Sequence, residues 1–230
     1  MNLRKLDESI WVLERMPQLG GGLRLGARTA FFKLADGDLL VFSPVPGIEE
    51  HKQEVDALGP VRAFVEPCVM HHLGLDDARP VWPAARRFAR PSLQARRPDL
   101  EFTDTLGETP DSLWAAEFDQ VVVGGMPRLD EVIFFHRNSR TLVIGDLCFN
   151  MVHSDHTFTR LFMKLNGAYG HFGPSRICKA LMADKRAVRV AVERMLSWNP
   201  ERLLVCHGEI VETNGRAELE RAFAFLPRPV

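Results

Sequence analysis

The densest hydrophobic pattern in the chain lies at Glu131 to Asn150, EVIFFHRNSRTLVIGDLCFN. Val132-Ile133-Phe134-Phe135 and Thr141-Leu142-Val143-Ile144 are apolar or β-branched runs with no alternation, so neither leaves a face for water. Arg137-Asn138-Ser139-Arg140 between them reads as a polar turn. The pattern predicts a hairpin in a sheet that is covered on both faces. Its second strand ends in Gly145-Asp146, a carboxylate at the mouth of a buried strand, which is costly unless a cation or donors receive it.

The same reading predicts strands at Ser9 to Leu13, Arg28 to Leu34, Asp38 to Ser43, Val61 to Val65, Leu100 to Leu106, Leu113 to Phe118, Gln120 to Val123 and Arg202 to Cys206. Asp36-Gly37 marks a hairpin turn. Helices are predicted at Ile48 to Leu58, within Asp77 to Ala89, at Lys185 to Trp198 with Val188, Val192 and Met195 as its apolar stripe, and at Glu218 to Leu226. Ala95 to Pro98 reads as a basic turn, and Phe149 to Met182 as short helices and loops packed over a site. The glycine-rich stretch Met16 to Gly26 lacks the spacing of a phosphate loop and is assigned no nucleotide role. Strands fall in two batches, each followed by helices. That order predicts an α/β fold, a four-layer αββα sandwich of two mixed sheets with outer helices, as one domain over residues 1–230.

Composition adds bounds. Hydrophobic residues make up 46% of 230, enough for a substantial core. A net charge of −1 gives no electrostatic case for nucleic acid or an anionic membrane. Cys68, Cys148, Cys178 and Cys206 are isolated and lie in or beside apolar runs, which predicts buried free thiols in a reducing cytosol. No apolar run approaches the length of a membrane span, so a cytoplasmic location is expected.

Three chemical features fall at strand ends: His71-His72, Asp146 and His207. Imidazole and carboxylate suit zinc or iron, and a carboxylate with histidines from separate strands can hold a divalent ion that acidifies its water. With the hairpin ARTAFFKLADGDLLVFSP, the GD-ended strand and the late His207-Gly208, this pattern resembles the metallo-β-lactamase superfamily, in a divergent branch with a degenerate metal motif. The resemblance implies that Asp146 is the metal-bridging carboxylate and His207 a further ligand. The family's HxHxDH loop corresponds to Met70-His71-His72-Leu73-Gly74-Leu75-Asp76-Asp77. The closest register puts the first His on His72 and the Asp on Asp76, and a shifted one puts His72 at the second His. Where the family carries a His in a GHTPGS-like turn, this chain has Gly124-Gly125-Met126-Pro127 with none, and Ser43-Pro44 stands where an acidic residue usually ends the early hairpin.

One divalent ion, zinc or iron, held by His72, Asp76, Asp146 and His207, is therefore the expectation. His71, His153 and His156 are secondary candidates, and Glu209 is a candidate to orient His207. Adjacent side chains in an extended loop point apart, which makes His71 the spare. His136 should lie far from Asp146, and His51 on a solvated helix face. His171 reads as a loop residue, and no GxSxG elbow occurs.

Two functions follow. One is a metal-dependent hydrolase that uses metal-activated water on a small ester, lactone, thioester or amide, or on a phosphoester. The other is a non-catalytic, metal-free member of the fold that binds a small molecule or a protein, with helix 185–198 offering a surface for a homodimer.

Overall fold

The structure is a computed structural model describing residues 3–16 and 22–227, so the glycine-rich stretch falls partly outside the described residues. Seven strands form the first sheet in chain order: β1 (Arg4–Asp7), β2 (Ile10–Arg15), β3 (Ala27–Lys33), β4 (Leu39–Phe42), β5 (Val61–Glu66), β6 (Arg86–Ala89) and β7 (Asp104–Thr105). It is antiparallel from β1 to β4 and parallel from β4 to β7. The second sheet runs β11-β10-β9-β8, from β8 (Phe118–Val122), β9 (Val132–His136), β10 (Thr141–Ile144) and β11 (Arg202–Val205). Here only β10 and β11 are parallel. The helices are α1 (Lys52–Asp56), α2 (Leu75–Val81), α3 (Pro91–Arg96), α4 (Thr157–Leu165), α5 (Arg176–Ala180), α6 (Lys185–Ser197) and α7 (Gly215–Ala222).

The unbroken apolar runs are explained by two buried faces per strand. In β9, Val132 and Phe134 pack between the sheets against Phe32, Phe42 and Val65, while Ile133 and Phe135 pack outward against Val188, Val192 and Met195 of α6. Phe42 and Phe134 meet edge to face across the inter-sheet core at 4.8 Å. In β3 and β4, Phe31 and Val41 point the other way, under Val55 of α1 and Leu75 and Ala78 of α2. The layers are thus helix, sheet, sheet, helix, and each fully buried large apolar side chain contributes about 1.5–3 kcal/mol.

Several local expectations change. Leu100 to Leu106 keeps only the two residues of β7 as strand, after a 3-10 turn at Pro98–Leu100. Residues 112–117 are turns rather than a strand, because buried Trp114 plugs the inter-sheet core and donates its indole N–H to Gln120 at 2.9 Å. The expected helix at Ile48 to Leu58 begins as a 3-10 turn, Ile48–His51, and His51 is buried against Glu54 at 3.0 Å instead of solvated. Pro91 at a first helical turn starts α3 where a basic turn was expected. The unpredicted β6 carries two arginines, and Arg86 satisfies its charge on Asp104 and Asp111 at the polar edge.

His136 lies at the turn end of the hairpin, paired with Thr141 and packed against Phe32 and Phe118. Burial depresses its imidazole below the usual value, against a raising influence from Glu117. A depressed histidine favours the folded chain while neutral, so its contribution is full above the unfolded value of about 6.5 and is lost as pH falls below it. We expect the wild type to lose urea resistance between about pH 7 and pH 5 more steeply than His136→Gln. Parallel pH profiles for the two proteins would contradict this.

Candidate functional site

The loops at one end of both sheets meet around Asp146. Its backbone is fixed from below by Glu131, a fully buried residue just before β9. The Glu131 carboxyl accepts the N–H groups of Gly145 (2.7 Å), Asp146 (3.0 Å) and Leu147 (2.8 Å). Gly145 fits closely here, since a Cβ would lie 3.2 Å from Glu131 Oε1 and the carboxyl would have to give way. Burial and the neighbouring Asp146 carboxylate push Glu131 up to about 8, working against the three N–H groups that favour its ionised form.

The Asp146 carboxyl touches three side chains. Its Oδ1 is 3.4 Å from His71 Nε2 and 3.2 Å from His207 Nε2, and its Oδ2 accepts from Cys68 Sγ at 3.6 Å. Burial alone would raise this carboxyl, but His71 and His207 outweigh it and hold it well below the usual carboxylate range. Burial opposes a charge on His71, yet Cys206 and Asp146 pull that imidazole well above its usual value. His207 Nδ1 lies 2.6 Å from the Gly26 carbonyl oxygen. A carbonyl only accepts, so Nδ1 carries the proton and a neutral His207 would aim the Nε2 lone pair at Asp146.

Two more groups complete the floor. Glu66, at the end of β5, is fully buried near His71 and Cys206 with no hydrogen-bond partner for either oxygen, and burial pushes it well above the usual carboxylate range. Ser43, at φ 52°, lies 3.6 Å from Cys206. Above the floor opens a cavity of about 370 Å³ walled by Leu25, Pro44, Val45, Met70, Leu73 and Phe149. Phe149 stacks on His207 at 5.5 Å. Arg28 also lines the cavity, but its guanidinium is taken up by Glu14 (2.9 Å) and by the carbonyls of Gly208 (2.7 Å) and Val205.

Of the expected ligand set, Asp146 and His207 come together and His72 and Asp76 do not join them. Pro67 turns the chain after β5, and His71 N–H closes back on the Cys68 carbonyl at 3.3 Å. Cys68 and His71 therefore face Asp146 while the next residue, His72, does not. His72 is half-buried at the cavity wall, its Nδ1 lacks a partner, and burial and nearby Arg97 depress it. Gly74 then packs so tightly under Pro44 and Val45 that a Cβ would sit 2.3 Å from the Val45 carbonyl carbon. That contact starts α2 away from the site and carries Asp76 to the surface, where it pairs with Arg97 at 3.2 Å. His153 is exposed on Asp155, and His156 caps α4 by accepting from Thr159 N. Glu209 is exposed, with its backbone held by Asn150, so the orienting contact of His207 is the Gly26 carbonyl instead. Met126, in place of the family's turn histidine, is buried in the outer core.

Among the described residues, Cys68, His71 and Asp146 form a group whose donor atoms all lie within 4.8 Å of one another. Ligands bonded to one zinc at about 2.0–2.3 Å stand roughly 3.2–3.8 Å apart. The spacings of 3.4 Å from His71 and 3.6 Å from Cys68 to Asp146 fall in that range, and His207, 3.2 Å from Asp146, stands beside this group without belonging to it.

Sandwich and strand-end site together define a metallo-β-lactamase fold. The FIM-1 metallo-β-lactamase from Pseudomonas aeruginosa in its mono-zinc form superposes with a TM-score of 0.66, 12% identity, and 97% of this chain and 93% of that chain covered. A metallo-β-lactamase from Hirschia baltica gives 0.66 and 12%, covering 100% and 99%. DIM-1 metallo-β-lactamase gives 0.66 and 13%, covering 97% and 96%. Within that fold the chain belongs to the family described as a domain of unknown function, DUF4336, whose profile matches residues 7–162. No curated protein matches the chain.

Replacing Glu131 by Ala would strand three buried N–H groups. We expect Glu131→Ala to cost about 3–5 kcal/mol in urea unfolding and Glu131→Gln less, since an amide oxygen still accepts. A loss under about 0.5 kcal/mol for the alanine variant would contradict the bracing role.

Proposed function

We propose that this protein is a metal-dependent hydrolase of a small, neutral acyl compound, an ester, lactone, thioester or amide, with one divalent ion held by Cys68, His71, Asp146 and His207. The observation that carries the reading is the convergence of Cys68 Sγ, His71 Nε2 and His207 Nε2 on one buried carboxyl group, at 3.6, 3.4 and 3.2 Å. A buried carboxylate is costly unless a positive charge lies beside it. The mixed sulfur, nitrogen and oxygen donors suit zinc or iron better than calcium or magnesium. Such an ion supplies a Lewis acid and an acidified water.

The chain's own residues supply the rest. Glu131 fixes the loop that presents Asp146, and the Gly26 carbonyl orients His207. The walls from Leu25 to Phe149 exclude water and receive an apolar acyl group. Arg28 is the cationic residue among the described lining, and its donors are spent, which favours a neutral acyl substrate over a phosphoester.

The second reading, a metal-free binding protein, is favoured by the same convergence. A protonated imidazole on Asp146 would also supply the positive charge. In both readings the ligand is a small molecule.

Elemental analysis of protein purified without added metal separates the two. We expect close to one transition-metal ion per chain, lost in Asp146→Ala and in His207→Ala, with hydrolysis of apolar esters abolished by chelation. Metal-free protein whose melting temperature is the same with and without chelator would contradict the proposal.

A further inference from the structure

The overall charge of −1 hides a local imbalance: residues 156–183 contain no carboxylate. Arg160, Lys164, Arg176 and Lys179 lie in this stretch, and no acidic side chain pairs with them among the described residues. The flanking acids are engaged elsewhere, Asp155 with His153 and Asp184 with the first N–H groups of α6.

Helix α4 turns Thr159 and Met163 inward, where Met163 packs with Met151, Ala168, Leu25 and Phe149. At about 100° per residue, Phe158, Leu161 and Leu165 fall within roughly 60° of one another on a different face. They are 51%, 55% and 67% exposed. Helix α5 joins the end of α4, with Arg176 N donating to the Asn166 carbonyl at 2.7 Å and Ile177 N to Asn166 Oδ1 at 3.1 Å. Ile177, 52% exposed, is a further exposed apolar residue on α5. Lys164 lies over Tyr169 and Lys179 over Phe225, so their charges meet ring faces and no carboxylate. Single exposed apolar residues are ordinary, but a stripe of them on one short helix, flanked by cations without acidic partners among the described residues, marks a contact surface.

Charge selects the occupant. A second copy joined through a two-fold axis would set these cations against themselves, a repulsive arrangement. An anionic bilayer offers apolar depth for the stripe and negative headgroups for the flank. The patch also lies beside the cavity, because Leu25 and Phe149 belong both to the packing under α4 and to the cavity wall. We propose that the α4–α5 face docks the protein peripherally on anionic lipid bilayers. Docking of this kind does not depend on the site's holding a metal.

Flotation of the full chain with phosphatidylcholine vesicles, with and without phosphatidylglycerol, tests this. The protein should float with the anionic vesicles only, and less so as salt rises. The double variant Leu161→Ser and Leu165→Ser should bind at least about tenfold more weakly, as should Arg160→Glu with Lys164→Glu. The melting temperature of the serine variant should match the wild type, because both leucine side chains are more than half exposed. Absence of flotation, or flotation that these variants leave unchanged, would overturn the proposal. So would a wild-type dimer that the serine variant turns into a monomer, since a second copy would then occupy the face.

Discussion

A negatively charged oxygen pair at the mouth of two packed sheets needs a positive charge beside it, and the rest of the site follows from that need. Asp146 follows β10 and Gly145, where the backbone is held by three N–H bonds to Glu131 and the walls are apolar. Moving a carboxylate out of water without compensation costs several kcal/mol. Compensation comes from two separate segments, the turn after β5 and the end of β11. Each delivers one or two donor atoms to the same carboxyl group. The sandwich makes that convergence, since β5 lies in one sheet and β10 and β11 in the other.

The fold was legible because hydrophobic pattern reports burial directly. A strand such as Val132 to Phe135 has no wet face only if it is covered twice, and two batches of such strands imply two sheets with helices outside. What stayed hidden were charged or edge strands. β1 is an edge strand with three polar residues in four, and β6 opens on Arg86 and Arg87 before burying Phe88 and Ala89, so neither shows an unbroken apolar run.

The site was half legible. Gly-Asp and His-Gly at strand ends mark Asp146 and His207, because such residues have no reason to end buried strands otherwise. The ligand loop misled through its spacing. Counting along the HxHxDH pattern favours His72 and Asp76, but Pro67 and the tight packing of Gly74 set a different turn, which presents Cys68 and His71. Neighbouring histidines in the loop do point apart, but alternation leaves open which of the two faces inward. Glu131 carried a readable signal, an acid just before the apolar run Val132 to Phe135, and Glu66 a weaker one, an acid at the end of the buried half of β5. Net charge was the least informative quantity, since it averaged away a stretch of 28 residues with cations and no carboxylates.

Cobalt(II) titration followed by absorption spectroscopy tests most directly whether the charge facing Asp146 is a metal ion held partly by sulfur. The account predicts that about one equivalent of Co²⁺ brings up visible d–d bands together with a near-ultraviolet thiolate-to-metal band. Cys68→Ser should lose the thiolate band alone, and Asp146→Ala both. A wild-type spectrum with no d–d bands at saturating Co²⁺, or a thiolate band that survives in Cys68→Ser, would contradict it.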